Sequence, residues 1–139
     1  MFEHILVPTD FSEDSKRAFD IALNIAGLEG GKITLLHVIE TIAHTTFEEF
    51  GSFYARLEKH AKKSMDEWMA RNKKSDVLVE KKILYGNRVR EIVRFAEENQ
   101  ASLIILNSHK IDMDSPGRGW GTISYQVGLI SDCPVMLIK

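Results

Sequence analysis

A possible phosphate-binding loop follows the apolar run "ASLIIL" at residues 101–106. Residues 107–124 read "NSHKIDMDSPGRGWGTIS", and a strand that leads through a glycine-rich loop into a helix is a common way to bind phosphate. If "GTIS" opens a helix, the backbone N–H groups of Gly121, Thr122 and Ile123 can point at an anion. The alternative is a plain connecting loop, in which Thr122 is only an N-terminal helix residue.

The first half of this loop has Asn107 and Lys110 where a phosphate cradle would have glycine. Glycine there would allow a positive φ angle, or give a phosphate room to approach the main chain. Asn107 adopts a positive φ readily, whereas Lys110 would do so at a cost of roughly 1–2 kcal/mol. The Lys110 ammonium could instead contact a phosphate directly, a charged hydrogen bond worth roughly 1.5–3 kcal/mol. We therefore expect weakened or altered phosphate binding.

A second group of polar residues, "PTDFSED" at residues 8–14, follows the first apolar run. Asp10, Glu13 and Asp14 place negative charge at the start of the first predicted helix, which disfavours phosphate there. Asp10 can instead accept hydrogen bonds from a ribose hydroxyl or an adenine amino group. Equally, Asp10 could serve only to cap the helix.

Several classes of enzyme are excluded by missing motifs. The sequence has neither G-x-x-x-x-G-K-[ST] nor G-x-S-x-G, and its five histidines show no metal-ligand spacing. The third apolar run ends "KKILYG", without the phosphoacceptor aspartate of a response-regulator receiver. We expect no metal site and no enzymatic activity. A slow ATPase is a weaker alternative, because its only candidate acids are Asp10, Asp112 and Asp114.

Composition and charge indicate a globular protein without a general affinity for polyanions. The 139 residues are 44% hydrophobic and carry a formal net charge of −2, which predicts no attraction to nucleic acid or to anionic lipid. A single cysteine, Cys133, fits a reducing compartment. No signal peptide and no apolar run of the ~20 residues that span a bilayer are recognisable. We expect a cytoplasmic protein without membrane insertion.

Five apolar runs of strand length alternate with helical patterns and must position these residues. The runs are "HILVP" (4–8), "KITLLHVI" (32–39), "DVLVEKKIL" (76–84), "SLIIL" (102–106) and "PVMLIK" (134–139). The alternation predicts one α/β domain over residues 1–139, a doubly wound five-stranded parallel sheet of order 3-2-1-4-5 with helices on both faces. Charge within the third run places it at an edge. Ligands in such folds bind beyond the carboxyl ends of the strands, at Thr9-Asp10, Val38-Ile39, Tyr85-Gly86 and the 107–122 loop.

The predicted helices carry apolar stripes that face the sheet. The second helix, residues 47–71, has the stripe Phe47, Phe50, Tyr54, Leu57, Ala61, Met65 and Trp68. The first helix follows Ser12 as N-cap, and the third follows "YGNR" at residues 85–88. The fourth runs from about Gly121 to Ser131 and carries Ile123, Val127 and Ile130 inward.

Taken together, these segments resemble the universal stress protein family. The resemblance lies in "ILVPTDFS" at the first strand, "LLHVIE" at the second, "SLIILNSH" at the fourth, a G-[ST] helix start and the ending "CPVMLIK". It implies a cytoplasmic, often dimeric, five-stranded α/β protein. A subset of the family binds ATP through a G-x2-G-x9-G-[ST] loop. In this chain both leading glycines are missing, whether they align with Asn107 and Lys110 or with Ser108 and Ile111.

The resemblance also implies roles for individual residues. Asp10 would contact the adenosine portion, the main chain at Val38 the adenine, and Gly121 and Thr122 the phosphates. The full predicted nucleotide-binding set is Pro8, Thr9, Asp10, Val38, Asn107, His109, Lys110, Gly121, Thr122 and Ile123.

Two functions stay open on the sequence. One is a stress-response regulator that binds ATP or AMP, with Mg²⁺ accompanying ATP. The other is a nucleotide-independent dimeric adaptor for an unidentified protein partner. For either function the apolar C-terminal run "PVMLIK" predicts a homodimer, because an exposed strand edge recruits a second strand.

Overall fold

The structure, a computed structural model, describes residues 1–42, 46–72, 75–110, 113–114 and 122–139. Strands and helices alternate along these residues, as predicted. The strands are β1 His4–Pro8, β2 Lys32–Glu40, β3 Val79–Gly86, β4 Leu103–Asn107 and β5 Val135–Ile138. The helices are α1 Glu13–Glu29, α2 Phe47–Arg71, α3 Arg88–Glu98 and α4 Ile123–Ile130. None of the helices within these ranges is both long and apolar enough to cross a membrane.

The strands form one parallel sheet in the order β3-β2-β1-β4-β5, which confirms the predicted topology. The chain moves outward from β1 to β3 and then returns to the other side of β1 to form β4. In the register of the sheet, Pro8 at the end of β1 lies beside Leu36 of β2. The strand order therefore reverses between β1 and β4, where the carboxyl ends of the strands leave space for a ligand.

Two apolar layers cover the sheet, one on each face. Successive side chains of a strand point to opposite faces, so Ile5 and Val7 of β1 pack with α1 and α2, where Trp68 lies. Leu6 instead packs with Ile92 of α3 and with α4. The predicted helices on both faces are confirmed.

The two edges of the sheet differ in charge. The β3 edge presents the exposed side chains of Glu80, Lys81 and Lys82, which confirms its predicted edge position and discourages further strand pairing. The β5 edge, Val135–Ile138, is apolar and only partly buried.

Two predicted apolar stripes are only partly buried. In α2, Tyr54, Met65 and Trp68 are buried, but Phe50 is 37% exposed because the helix kinks there, with φ −124° and ψ 22°. In α4, the expectation that Ile130 faces inward is wrong, since it is 57% exposed. The reason is position: α4 lies beside the edge strand β5, and its last turn has no further layer to pack against.

Candidate functional site

A crevice of about 200 Å³ opens at the carboxyl ends of β1, β2 and β4, beside the start of α3 and of α4. We call it the crevice throughout. Its lining is Pro8, Thr9, Asp10, Leu36, Val38, Arg88, Ile92, Leu106, Asn107, His109, Thr122, Ile123 and Ser124. Aliphatic side chains from β2, α3 and β4 contribute apolar surface, and a carboxylate, a guanidinium, an imidazole, an amide and hydroxyls supply the polar groups.

Eight of the ten residues predicted to bind nucleotide lie together in this lining. They are Pro8, Thr9, Asp10, Val38, Asn107, His109, Thr122 and Ile123. Lys110 is exposed and does not line the crevice, and Gly121 lies outside the described residues. Tyr85 and Gly86 lie outside the lining, and the Tyr85 ring contacts Tyr54 of α2 instead.

The turn after β1 is fixed by hydrogen bonds. The Thr9 N–H donates to the Leu36 carbonyl at 2.8 Å, and the Thr9 hydroxyl accepts from the Phe11 N–H at 2.9 Å. Phe11 has φ 64°, a left-handed conformation that is uncommon for an aromatic residue. This backbone geometry sets the position of Asp10 at the crevice.

Asp10 is an ionised hydrogen-bond acceptor. Its Oδ1 accepts from the Ser12 N–H at 3.0 Å and from the Ser12 hydroxyl at 2.6 Å. Burial alone would raise the pKa of Asp10, but the bonds from Ser12 outweigh it and the pKa lies below its ordinary value. A carboxylate has about four acceptor positions, so it keeps capacity for a ligand. The N-cap of α1 is Ser12, which Asp10 supports without being the cap itself.

His37 of β2 stabilises the same turn through contacts with Thr9 and Phe11. Its Nδ1 lies 2.7 Å from the Thr9 carbonyl oxygen, which can only accept, so Nδ1 donates. The ring packs on Phe11 at 4.7 Å between centroids. Burial lowers the pKa of His37 despite the opposing hydrogen bond to Thr9, and the charge of Arg88 lowers it further. His37 therefore acts as a neutral structural donor, a role that its sequence context did not reveal.

The end of β4 shows no need for left-handed backbone. Asn107 is the last residue of β4 and pairs with Ile138. Among the described non-glycine residues, positive φ occurs at Phe11 and Gln100 alone. Neither Asn107 nor Lys110 therefore uses the left-handed conformation that glycine would allow, and the cost considered for Lys110 does not arise.

The residues that follow β4 are tied to the first turn of α4. The hydroxyls of Ser108 and Ser124 lie 2.9 Å apart, and the Tyr125 hydroxyl donates to the His109 carbonyl. The His109 ring also meets the Tyr125 ring edge-on at 5.4 Å. These contacts hold His109 at the crevice, and Ser108 contacts a serine and main chain and not the imidazole.

Helix α4 begins two residues later than predicted, with Thr122 as its N-cap at φ −73° and ψ 159°. The Thr122 side chain makes no capping hydrogen bond. The first N–H groups of a helix have no acceptor within the helix and favour anions. Because Thr122, Ile123 and Ser124 all line the crevice, this helix start is suited to a phosphate.

Two polar lining residues, Arg88 and Ser124, were absent from the predicted set, and Arg88 is the charged one. It is the first residue of α3 and follows the N-cap Asn87. The motif "YGNR" marked this helix start, but nothing in the spacing showed that the side chain at 88 would reach the crevice. Within the described ranges, no group of three acidic, histidine or cysteine side chains is arranged to bind a metal.

Known proteins share this architecture over the whole chain. The sequence profile of the "Universal stress protein family" matches residues 1–139. Universal stress protein YxiE of Bacillus subtilis is 27% identical over 151 aligned positions, with 100% of both chains covered. The structure of universal stress protein UspA from Lactobacillus plantarum superposes with a TM-score of 0.82 at 26% identity, covering 99% of this chain and 98% of that one.

A further structure, the universal stress protein from Archaeoglobus fulgidus in complex with dAMP, has a TM-score of 0.72 at 22% identity, with 100% of both chains covered. At that identity the likeness concerns the fold. The profile match over every residue decides the classification: the chain belongs to the universal stress protein family.

Proposed function

We propose that this protein is a stress-response regulator that binds an adenine nucleotide in the crevice, and that it is not an enzyme. One observation carries the proposal: eight residues predicted independently of any structure line one crevice at the switch point of the sheet. A family member of the same fold was crystallised with dAMP. With no second cysteine to pair with Cys133, we place the protein in a reducing cytoplasm.

The proposed pose follows from the chemistry of the walls. The adenine ring lies on the aliphatic side chains of Val38, Ile92 and Leu106, while Asp10 accepts from a ribose hydroxyl. The phosphate lies at the start of α4. ATP would bring Mg²⁺ on its own phosphates, whereas AMP needs none.

The expected affinity is modest. A charged hydrogen bond from Asp10 contributes roughly 1.5–3 kcal/mol, and a helix start stabilises an anion by roughly 0.3–1 kcal/mol. The missing loop glycines remove the close approach of main chain to phosphate that tight-binding loops use. We expect dissociation constants that are micromolar or weaker, so the binding free energy should be no more favourable than about −8 kcal/mol.

Two measurements test nucleotide binding. Acid extraction of the purified protein, followed by chromatography, should release adenine nucleotide. Titration calorimetry with ATP, ADP and AMP should give heat that Thr122→Ala reduces. Heat that Thr122→Ala leaves unchanged would show that the start of α4 is not the phosphate site. The absence of binding heat in every titration would overturn nucleotide binding and leave the adaptor function.

The second candidate function is a nucleotide-independent dimeric adaptor, and the apolar edge of the sheet supports the dimer that either function would use. The strand Val135–Ile138 is partly buried and carries no charge, and Leu129 of the neighbouring α4 is 76% exposed. Antiparallel pairing of two β5 edges about a twofold axis would cover this surface. Light scattering at micromolar concentration should give twice the 15.8 kDa chain mass.

A further inference from the structure

Arg88 is a half-buried residue of the crevice lining. Its backbone is fixed because the Asn87 side chain accepts from the Arg90 N–H at 3.0 Å. This cap fixes the main chain of Arg88 beside the crevice.

None of the described acids near Arg88 forms an ion pair with it. Glu91, on the next turn of α3, pairs with Arg94. Asp10 bonds to Ser12, and Arg88 is not among the causes of its lowered pKa. Arg88 makes no ion pair within the parts of the chain that the structure describes. A guanidinium that lines a crevice without a carboxylate partner is well suited to an anionic ligand.

We propose that Arg88 binds the phosphate of the nucleotide and makes the crevice select nucleoside phosphates over neutral nucleosides. This inference rests on the proposed nucleotide-binding function. A guanidinium donates two parallel hydrogen bonds to phosphate oxygens, which a lysine ammonium does not reproduce. Lys110 is exposed outside the lining, so among the described residues the cation of the crevice comes from α3. Arg88 thereby takes over part of the role of the missing loop glycines.

The test compares adenosine with AMP by titration calorimetry. The variants are Arg88→Gln, Arg88→Lys and, as a matched control, Arg90→Gln, whose side chain is exposed two residues along the same helix and lies outside the crevice. We expect Arg88→Gln to weaken AMP about tenfold or more and to leave adenosine unchanged. Arg88→Lys should recover only part of the loss, and Arg90→Gln should behave as wild type. Raised salt should weaken AMP binding to wild type more than to Arg88→Gln.

The outcomes separate this inference from the function on which it rests. If wild type binds both ligands and Arg88→Gln weakens them equally, or weakens neither, the role of Arg88 is overturned while nucleotide binding stands. If wild type binds neither ligand, both proposals are overturned. A melting temperature of Arg88→Gln equal to wild type confirms that a loss of AMP affinity is not a loss of folding.

Discussion

Replacing Leu137 by proline should dissociate the proposed dimer without opening the sheet. The N–H of Ile104 donates to the Pro134 carbonyl, and the N–H of Ser108 donates to the Ile138 carbonyl. Backbone groups alternate in direction along a strand, so those of residues 134, 136 and 138 face β4. The N–H and C=O of Leu137 therefore point away from β4, at the free edge.

The loss of dimerisation free energy follows from the twofold axis, because each change occurs once in each protomer. Each protomer loses one outward donor, so a dimer loses two hydrogen bonds of roughly 0.5–1.5 kcal/mol each. Each proline ring also leaves a partner carbonyl without its donor, at roughly 1–3 kcal/mol apiece where the interface excludes water. Because β5 is only partly buried, the lower ends of both ranges apply, and we expect a total of about 3 kcal/mol, or a dissociation constant raised about 100-fold.

The assay is sedimentation or light scattering over a concentration series, with a thermal melt to verify folding. Leu137→Ala is the matched control, because it shortens the same side chain but keeps the N–H. Met136→Pro should instead unfold the β4–β5 pairing and lower the melting temperature. A monomeric wild type, or equal dissociation of Leu137→Pro and Leu137→Ala, would refute the edge-pairing argument.

Three other expectations concern stability, pH and the loop. Gly31→Ala should lower the melting temperature, because the new Cβ would lie 2.4 Å from the Phe2 carbonyl oxygen. In Gly128→Ala the new Cβ meets nothing within 4 Å, so this substitution should stabilise α4 by about 0.5–1 kcal/mol. The pKa of His37 is lowered from 6.5, so on acidification the unfolded chain binds this proton before the folded chain does, and the free energy of unfolding should fall as the pH drops below 6.5. Thermal melts at several pH values should show a shallower fall in the His37→Asn variant. Equal slopes for the variant and wild type would contradict this. Lys110→Gly should change AMP affinity by no more than about twofold, since the side chain lies outside the crevice. A large loss of AMP affinity in titration calorimetry would show that Lys110 contributes to the phosphate site.

The sheet and much of the crevice were predictable because both depend on strand patterning. Runs such as "SLIIL" are apolar without interruption, which is typical of strands covered on both faces, and the residues after them must meet at one edge of a parallel sheet. Strand limits were less predictable. The run from residue 76 pairs as β3 only from Val79 to Gly86, because pairing depends on the neighbouring strand and not on local hydrophobicity.

Arg88 could not be predicted, because its importance depends on the direction of one side chain at a helix start. The sequence shows three arginines within the first two turns of α3, and spacing does not distinguish them. Only the fold shows that Arg94 is paired with Glu91, that Arg90 is exposed and that Arg88 faces the crevice. Side-chain roles that depend on which face a helix buries need the packed structure.

The position of backbone strain was also unpredictable, and it bears on how the site works. Sequence analysis considered a positive φ only at Asn107 and Lys110, but the structure has one at Phe11, directly after Asp10. A left-handed aromatic residue costs roughly 1–2 kcal/mol, and here the Phe11 ring packs between His37 at 4.7 Å and Trp68 at 5.6 Å. Packing of the partly buried Phe11 ring against the core thus maintains a strained turn that no local residue preference supports. Because such strain persists only where surrounding packing enforces it, the core itself orients Asp10, and the acceptor side of the crevice is preformed before any ligand binds.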